Sequence, residues 1–326
     1  MDENDFGFGS HFAEIMAALV SDKRARGYPY NKELQLLRRL DRMWQEPHIE
    51  PAGLTQKWAE RFIALRPTET SGNGSAKRAS VWRQLAKYAS NSGLNAYFPD
   101  PALSPLISVA YTPFIYTRAQ LAAFFRAVDG LPANWRSPRR PWAMGLLYRL
   151  LYGAGLRLRE ALELIYGDFD SGEGTIVIRH PKNGKARSLP LASSLVARLK
   201  EHINRFPDNA RTPFFHSVRR KVAMHSSAVE VTFPDLLRAA GLPPRAKRAG
   251  PRIHDLRHTF AVHRMENWLY AGEDLNAKLP VLSAYMGHAG VKHTYYYLRL
   301  THQMHPNIAA RFSAHVGDIV PTGDEW

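Results

Sequence analysis

A stretch rich in proline and poor in charge, Pro99 to Pro113, interrupts the chain and constrains what it can become. Proline fixes φ and removes an amide donor, so the stretch can neither continue a helix nor sit inside a sheet. It reads as an interdomain linker, with the boundary near residue 110. Two domains are expected, 1–110 and 111–326, and a chain of 326 residues is long enough for each to bury a core of its own.

Before the linker, apolar residues recur at helical spacing: Leu36, Leu37, Leu40 and Met43, then Trp58, Phe62 and Leu65, then Trp82, Leu85 and Tyr88. A short polar break, Thr68 to Gly74, divides them. Lys23, Arg24, Arg26, Lys77, Arg78 and Arg83 make this helical unit basic. A solvated charged face and a face that touches DNA fit that pattern equally well.

After the linker, Thr117 and Gln120 form a capping-box pattern ahead of Leu121, Phe124, Phe125 and Val128, which predicts an amphipathic helix. A second helix is expected over Trp142 to Leu151. The turn Gly153-Ala154-Gly155 then leads into a third, with Leu158, Ala161, Leu162 and Ile165 on its buried side. Thr175 to Arg179 and Arg187 to Leu191 read as strands flanking Asn183-Gly184, a strong hairpin dipeptide. Helical patterns resume at Ser194 to Phe206, Ser227 to Ala240, His254 to Leu269, Leu279 to Tyr285 and Val291 to Leu298. The fold class is therefore mainly α with a small β-sheet or hairpin.

Charge narrows the partner. The chain carries 44 Lys and Arg against 29 Asp and Glu, a formal net charge of +15. Such a field recruits polyanions, of which nucleic acid is the commonest. An anionic membrane surface is the competitor, but no apolar run reaches spanning length, and the start MDENDFGFGS lacks the basic region of a signal peptide. A cytoplasmic protein is expected, with no membrane partner. The absence of cysteine excludes disulfides and thiolate zinc sites.

Four segments concentrate groups suited to phosphate chemistry. In Gly155-Leu156-Arg157-Leu158-Arg159-Glu160, Arg157 could offer its planar fork to a phosphate, with Glu160 one turn later to orient it. Alone, an i,i+3 surface ion pair is the commoner meaning of that spacing. In Pro181-Lys182-Asn183-Gly184-Lys185, the turn presents a lysine. In His254-Asp255-Leu256-Arg257-His258, His254 and Arg257 share one helix face. Last come Met286-Gly287-His288 and, nine residues after His288, Tyr297. A zinc site using His254, His258 and His263 competes for the third segment. It lacks the glutamate of the zincin motif, and the Arg257 guanidinium on that face repels a divalent cation. No Gly-rich run ends in Gly-Lys-Ser or Gly-Lys-Thr, so ATP is not implied.

Together these strings resemble the tyrosine recombinases, the phage-integrase-like enzymes. LYGAGLRLREALEL is similar to their first arginine box, HPKNGKARSLPL to their β-hairpin lysine segment, HDLRHTFA to their His-x-x-Arg box, and YMGHAGVKHTYYYL to their Leu-Gly-His box with the nucleophilic tyrosine. The boxes stand in family order over about residues 117 to 312. Ala154 replaces a frequent threonine and Met286 a usual leucine, neither at a position that supplies a reactive group. Spacing from His288 selects Tyr297 from the run Tyr295-Tyr296-Tyr297, leaving the other two for helix packing.

The resemblance implies a site-specific recombinase that cleaves and rejoins DNA strands through a 3′-phosphotyrosyl intermediate, without metal, ATP or other cofactor. Arg157 and Arg257 would bind the non-bridging oxygens and stabilise the transition state. Tyr297 would attack phosphorus, and Lys182 would protonate the departing 5′ oxygen. His254 would help handle the tyrosine proton and hold the phosphate, His288 would donate to that phosphate, and Glu160 would support the cluster. The N-terminal unit would be the core-binding domain and the C-terminal one the catalytic domain, clamping double-stranded DNA. A tetramer on paired sites is implied, its tail from about Leu298 to Val316 docking on a neighbour, and a mobile element is the favoured setting. Relaxation of the type IB topoisomerase kind, and a catalytically silent DNA-binding protein, are the alternatives.

Overall fold

The computed structural model describes residues 6–45, 53–67, 69, 72–100, 112–133, 137–179, 186–217, 221–244, 250–288, 290, 294–298 and 300. The chain divides into two compact units, Met1–Tyr111 and Thr112–Trp326.

The first unit is built from helices α1 (Ala13–Ala25), α2 (Asn31–Trp44), α3 (Gln56–Ile63) and α4 (Asn73–Asn91). On α2 the buried stripe is Leu34, Leu37, Leu40 and Trp44, one residue per turn, while Leu36 and Met43 flank it half-buried. Trp58 and Trp82 both pack against Trp44 in its core, their ring centroids 6.0 and 6.2 Å from that of Trp44. Leu65 lies past the end of α3 and is exposed. Arg78 departs from expectation more sharply. It is buried, donating to the carbonyls of Ile63 at 3.2 Å and Ala64 at 2.7 Å and pairing with Glu69. The last carbonyls of α3 have no partner within the helix, and Arg78 supplies one. It is therefore a structural group and adds nothing to a basic surface.

The second unit contains α5 (Arg118–Asp129), α6 (Arg140–Gly153), α7 (Leu158–Leu162), strands β1 (Phe169–Asp170), β2 (Thr175–Ile178) and β3 (Arg187–Pro190), then α8 (Ser193–Arg205), α9 (Ser226–Ala239), α10 (Asp255–Tyr270) and α11 (Leu275–Met286). Residues 294–298 form a further helical turn. The Thr117–Gln120 capping box opens α5 as expected: Thr117 Oγ1 accepts from the Gln120 amide at 3.2 Å, and Gln120 Oε1 from the Thr117 amide at 2.9 Å. Helix α6 is apolar nearly all round, burying Met144, Leu147, Tyr148, Leu150 and Leu151, and α5, α8 and α10 pack about it. The strands pair antiparallel in the order β1-β2-β3, with Ile176 opposite Leu189, both buried. The chain is mainly helical with a small sheet. Its first strand has two residues, too few for a periodic signal. Asn183-Gly184 falls outside the described residues. Among the described residues no helix is long and apolar enough to cross a membrane.

Helix α7 is shorter than the sequence pattern suggests. It ends at Leu162, and Ile165 instead makes an isolated bridge to Pro213. The turn before α7 depends on Gly155, which adopts φ +59 and lies so close to the Phe260 ring that a Cβ there would collide with it. This close approach brings the end of α6 against α10. Gly155→Ala is expected to lower the stability of the second unit by about 2 to 4 kcal/mol, combining left-handed strain with overpacking. Urea denaturation checks this, and an unchanged midpoint would count against the close approach.

Candidate active site

The Glu160 carboxylate, buried at the third position of α7, gathers cations from three distant parts of the sequence. Its Oε2 accepts from the Arg157 amide at 3.0 Å, and its Oε1 from Arg157 Nη1 at 2.7 Å. Arg187, the residue that opens β3, donates Nη2 to Oε2 at 3.0 Å and Nη1 to Oε1 at 3.3 Å. Arg257 Nη1 stands 3.9 Å from Oε2. Glu160 and Arg157 therefore form no ordinary surface pair.

The same three guanidinium groups close the end of α11. Arg187 Nε donates to Tyr285 O at 3.0 Å, Arg257 Nη2 to Met286 O at 2.6 Å, and Arg157 Nη2 to Gly287 O at 3.0 Å. Three successive carbonyls at a helix C-terminus thus take one arginine each, where unpaired acceptors and the negative end of the helix dipole favour cations. Arg257 also donates Nη1 to Gly155 O at 2.5 Å and is almost wholly buried. Arg157 keeps about a fifth of its side chain exposed, 22%.

Imidazoles and a phenol complete the cluster. His254 immediately precedes α10, and the His258 ring one turn later stands perpendicular to it at 4.8 Å. Tyr297 is buried, with its Oη 3.0 Å from His258 Nδ1. The His288 ring lies nearly parallel to that of Tyr297 at 6.1 Å, and its Nδ1 is 2.8 Å from Thr294 Oγ1. Tyr295 and Tyr296 are 50% and 39% exposed, so Tyr297 alone of the three turns inward. His263 leaves the group and bonds Tyr152 Oη at 3.0 Å.

The field in this pocket is set by burial and by surplus positive charge. His258 is pushed down to about 3, by burial first and then by His254, Arg257, Arg252 and His288. His254 has solvent-exposed surface yet sits among crowding protein atoms. It is pushed down to about 4, by that crowding first and then by Arg257, Arg157 and Arg252. Both imidazoles are therefore neutral at pH 7. Burial raises the Tyr297 phenol, while Arg257 and Arg157 pull it the other way. Burial also brings Arg257 down to about 10.

Arg157, Glu160, His254, Arg257, His288 and Tyr297 come together. Lys182 lies outside the described residues, although Arg187 ties the strand pair flanking it to Glu160. Sequence reasoning missed Arg187 and His258. For Arg187 the signal was strand alternation, which puts it on the same face as buried Leu189 and so asks for a buried partner. His258 was weighed only as a zinc ligand. The expectation that His254 handles the tyrosine proton also meets a difference, because the phenol is bonded to His258, one turn further along α10.

The phage integrase family model matches residues 134–304, more than half of the chain and all of this cluster. The chain belongs to the phage integrase family. It is 30% identical over 257 residues to protein y4rB of Sinorhizobium fredii, by its name an integrase/recombinase, covering 77% of this chain and 80% of that one. The tyrosine recombinase XerA of Pyrococcus furiosus is 31% identical over 158 residues, 48% of this chain and 50% of the other. Among solved structures, the XerH site-specific recombinase in its post-cleavage complex on difH aligns with TM-score 0.62 at 18% identity, over 92% of this chain and 84% of its own. The Tn1549 transposon integrase with circular intermediate DNA aligns at 0.61 and 17% identity, over 87% and 94%. At such identities these two likenesses are ones of fold. With its family membership, the chain is a tyrosine recombinase, an enzyme of site-specific DNA recombination.

Glu160 yields a stability test. Burial alone would raise its pKa, but donation from Arg187 and from the Arg157 amide outweighs burial, and the net shift is downward from 4.5. A depressed carboxyl contributes stability above its unfolded pKa and loses that contribution as the pH falls through the lower folded value. Glu160→Gln is expected to cost about 3 kcal/mol at pH 7, because it strands buried guanidinium groups. Denaturant midpoints should show that gap narrowing below pH 4.5; a gap independent of pH would contradict the assignment.

Proposed function

We propose that this recombinase cleaves each strand by in-line attack of Tyr297 Oη on a scissile phosphate, giving a 3′-phosphotyrosyl enzyme and a free 5′ hydroxyl. The observation that carries this reading is a buried phenol lying in the field of two guanidinium groups that lean on one carboxylate. Arg157 and Arg257 hold the non-bridging oxygens and stabilise charge developing in the transition state. His254 and His288 hold the same phosphate, Glu160 fixes the arginines, and Lys182 protonates the departing 5′ oxygen. The covalent link conserves the energy of the broken bond, so a 5′ hydroxyl from a partner duplex reverses the step and completes strand exchange.

Double-stranded DNA is the substrate. The chain's net charge of +15 and the under-neutralised arginine cluster both favour a polyanion. Residues 1–110 serve as the core-binding domain and 111–326 as the catalytic domain, the two clamping the duplex. A tetramer on paired sites is the active form. Movement of a mobile element is its setting, in keeping with the integrase names of y4rB and the Tn1549 protein. Phosphate contacts dominate affinity, so binding weakens steeply with salt.

A duplex nicked beside the cleavage site traps the adduct, because the short 5′ fragment diffuses away. Tyr297→Phe is expected to abolish trapping and retain DNA binding, whereas Tyr295→Phe and Tyr296→Phe trap normally. Arg157→Ala should slow single-turnover cleavage by about 100- to 1,000-fold. An adduct formed by the Tyr297→Phe protein would refute the nucleophile assignment.

A further inference from the structure

We propose that His258 is a catalytic residue of the cleavage step: its Nδ1 takes the phenol proton as Tyr297 Oη attacks phosphorus, and returns it when the strand is resealed. The inference rests on the reading of Tyr297 as nucleophile and adds to it the route of the proton.

The geometry is direct. A neutral phenol has one hydrogen to donate, and its oxygen lies 3.0 Å from His258 Nδ1, within the range at which a proton passes between them. The imidazole must then be the tautomer with its proton on Nε2. His258 is half-buried on α10 and held by its neighbours, with the His254 ring at 4.8 Å and the Tyr297 ring at 5.5 Å. Its lone pair is free to accept, because the pocket disfavours a second proton on the ring. Burial is the first cause, followed by His254, Arg257 and Arg252 from its own segment and His288 from the segment that carries the tyrosine.

In the free protein burial and that positive field together make His258 a poor base, which keeps the pair idle. A scissile phosphate brings a full negative charge beside Arg157 and Arg257. It offsets the field that depresses the imidazole and raises its basicity at the moment the proton must leave. The balance is complete: the phenol proton moves to Nδ1, the oxygen–phosphorus bond forms, and the bond from phosphorus to the 5′ oxygen breaks. That oxygen departs with a proton from the donor assigned to Lys182. On resealing, the His258 imidazolium is the acid that restores the phenol.

Single-turnover cleavage of the nicked duplex at saturating enzyme tests this with His258→Asn, whose carboxamide oxygen can accept the phenol bond but cannot take its proton. The expected result is cleavage about 100- to 10,000-fold slower with DNA affinity retained. The lost rate should return as pH rises and the phenol ionises unaided, and should return in part when 3-fluorotyrosine, a more acidic phenol, occupies position 297. Cleavage by His258→Asn at the wild-type rate would reduce the bond to positioning and overturn the proposal. So would a loss that neither pH nor the fluorinated phenol relieves. If His258→Asn does not fold, His258→Ala supplemented with free imidazole replaces it: rescue that rises with imidazole concentration supports the proposal, and no rescue in a protein that still binds DNA overturns it. The Tyr297→Phe control separates the two readings, since an adduct in that variant removes the nucleophile itself, whereas its absence leaves only the role of His258 at issue.

Discussion

The site depends on one buried carboxylate that does not fully neutralise the cations around it. Three guanidinium groups converge on Glu160 and on three successive carbonyls at the end of α11. Each brings a full positive charge, the carboxylate returns one negative charge, and the helix end contributes roughly half of one more. A surplus of between one and two positive charges remains in a largely buried cluster. Like charges crowded in this way repel, and a phosphodiester is the group that relieves them. The cluster is therefore costly to the free protein and complementary to its substrate, and both properties come from the same atoms.

Burial first, and that surplus after it, set the protonation of the imidazoles and the phenol nearby. Two imidazoles that would be partly charged in water are held neutral, one at about 4 and the other at about 3. The phenol feels opposed influences, burial resisting ionisation and the arginines favouring it. In the free protein the Tyr297 phenol is therefore protonated and hydrogen-bonded to a neutral acceptor. A phosphate beside Arg157 and Arg257 would offset the positive part of that field.

Much of this was legible in the sequence, for identifiable physical reasons. Side-chain hydrogen bonds three residues apart made the Thr117–Gln120 cap visible, and α5 begins there. The four boxes carried unusual concentrations of cations and imidazoles, and among the described residues Arg157, Glu160, His254, Arg257, His288 and Tyr297 do meet. What escaped was mostly long-range. Nothing local to Arg78 announces that it closes the end of α3, since Ile63 and Ala64 lie a loop away. Helix α7 looked longer because apolar periodicity continues through Ile165, yet that residue pairs with Pro213 far along the chain. Arg187 was hidden inside a strand pattern, and its role depends on Glu160 and Tyr285, which only the fold brings near. His258 was weighed only as a zinc ligand and set aside, because its neighbour Tyr297 is distant in sequence and adjacent only in space.

Gly287 shows how backbone and electrostatics are settled together. Its φ of +65 ends α11 in the left-handed region, where glycine pays no steric penalty, and the chain turns there toward His288 and the tyrosine. A side chain at this position would do more than strain the turn, because its Cβ would stand 2.8 Å from Arg187 Nη1. Arg187 would have to withdraw, loosening its bonds to Glu160 and to Tyr285 O. The glycine is thus needed for two reasons that cannot be separated: it lets the helix stop where His288 can face Tyr297, and it leaves room for a guanidinium to lie against the helix end. The Gly-His pair, read in sequence as a recognition mark, is in physical terms the point at which the arginine cluster and the tyrosine segment are joined.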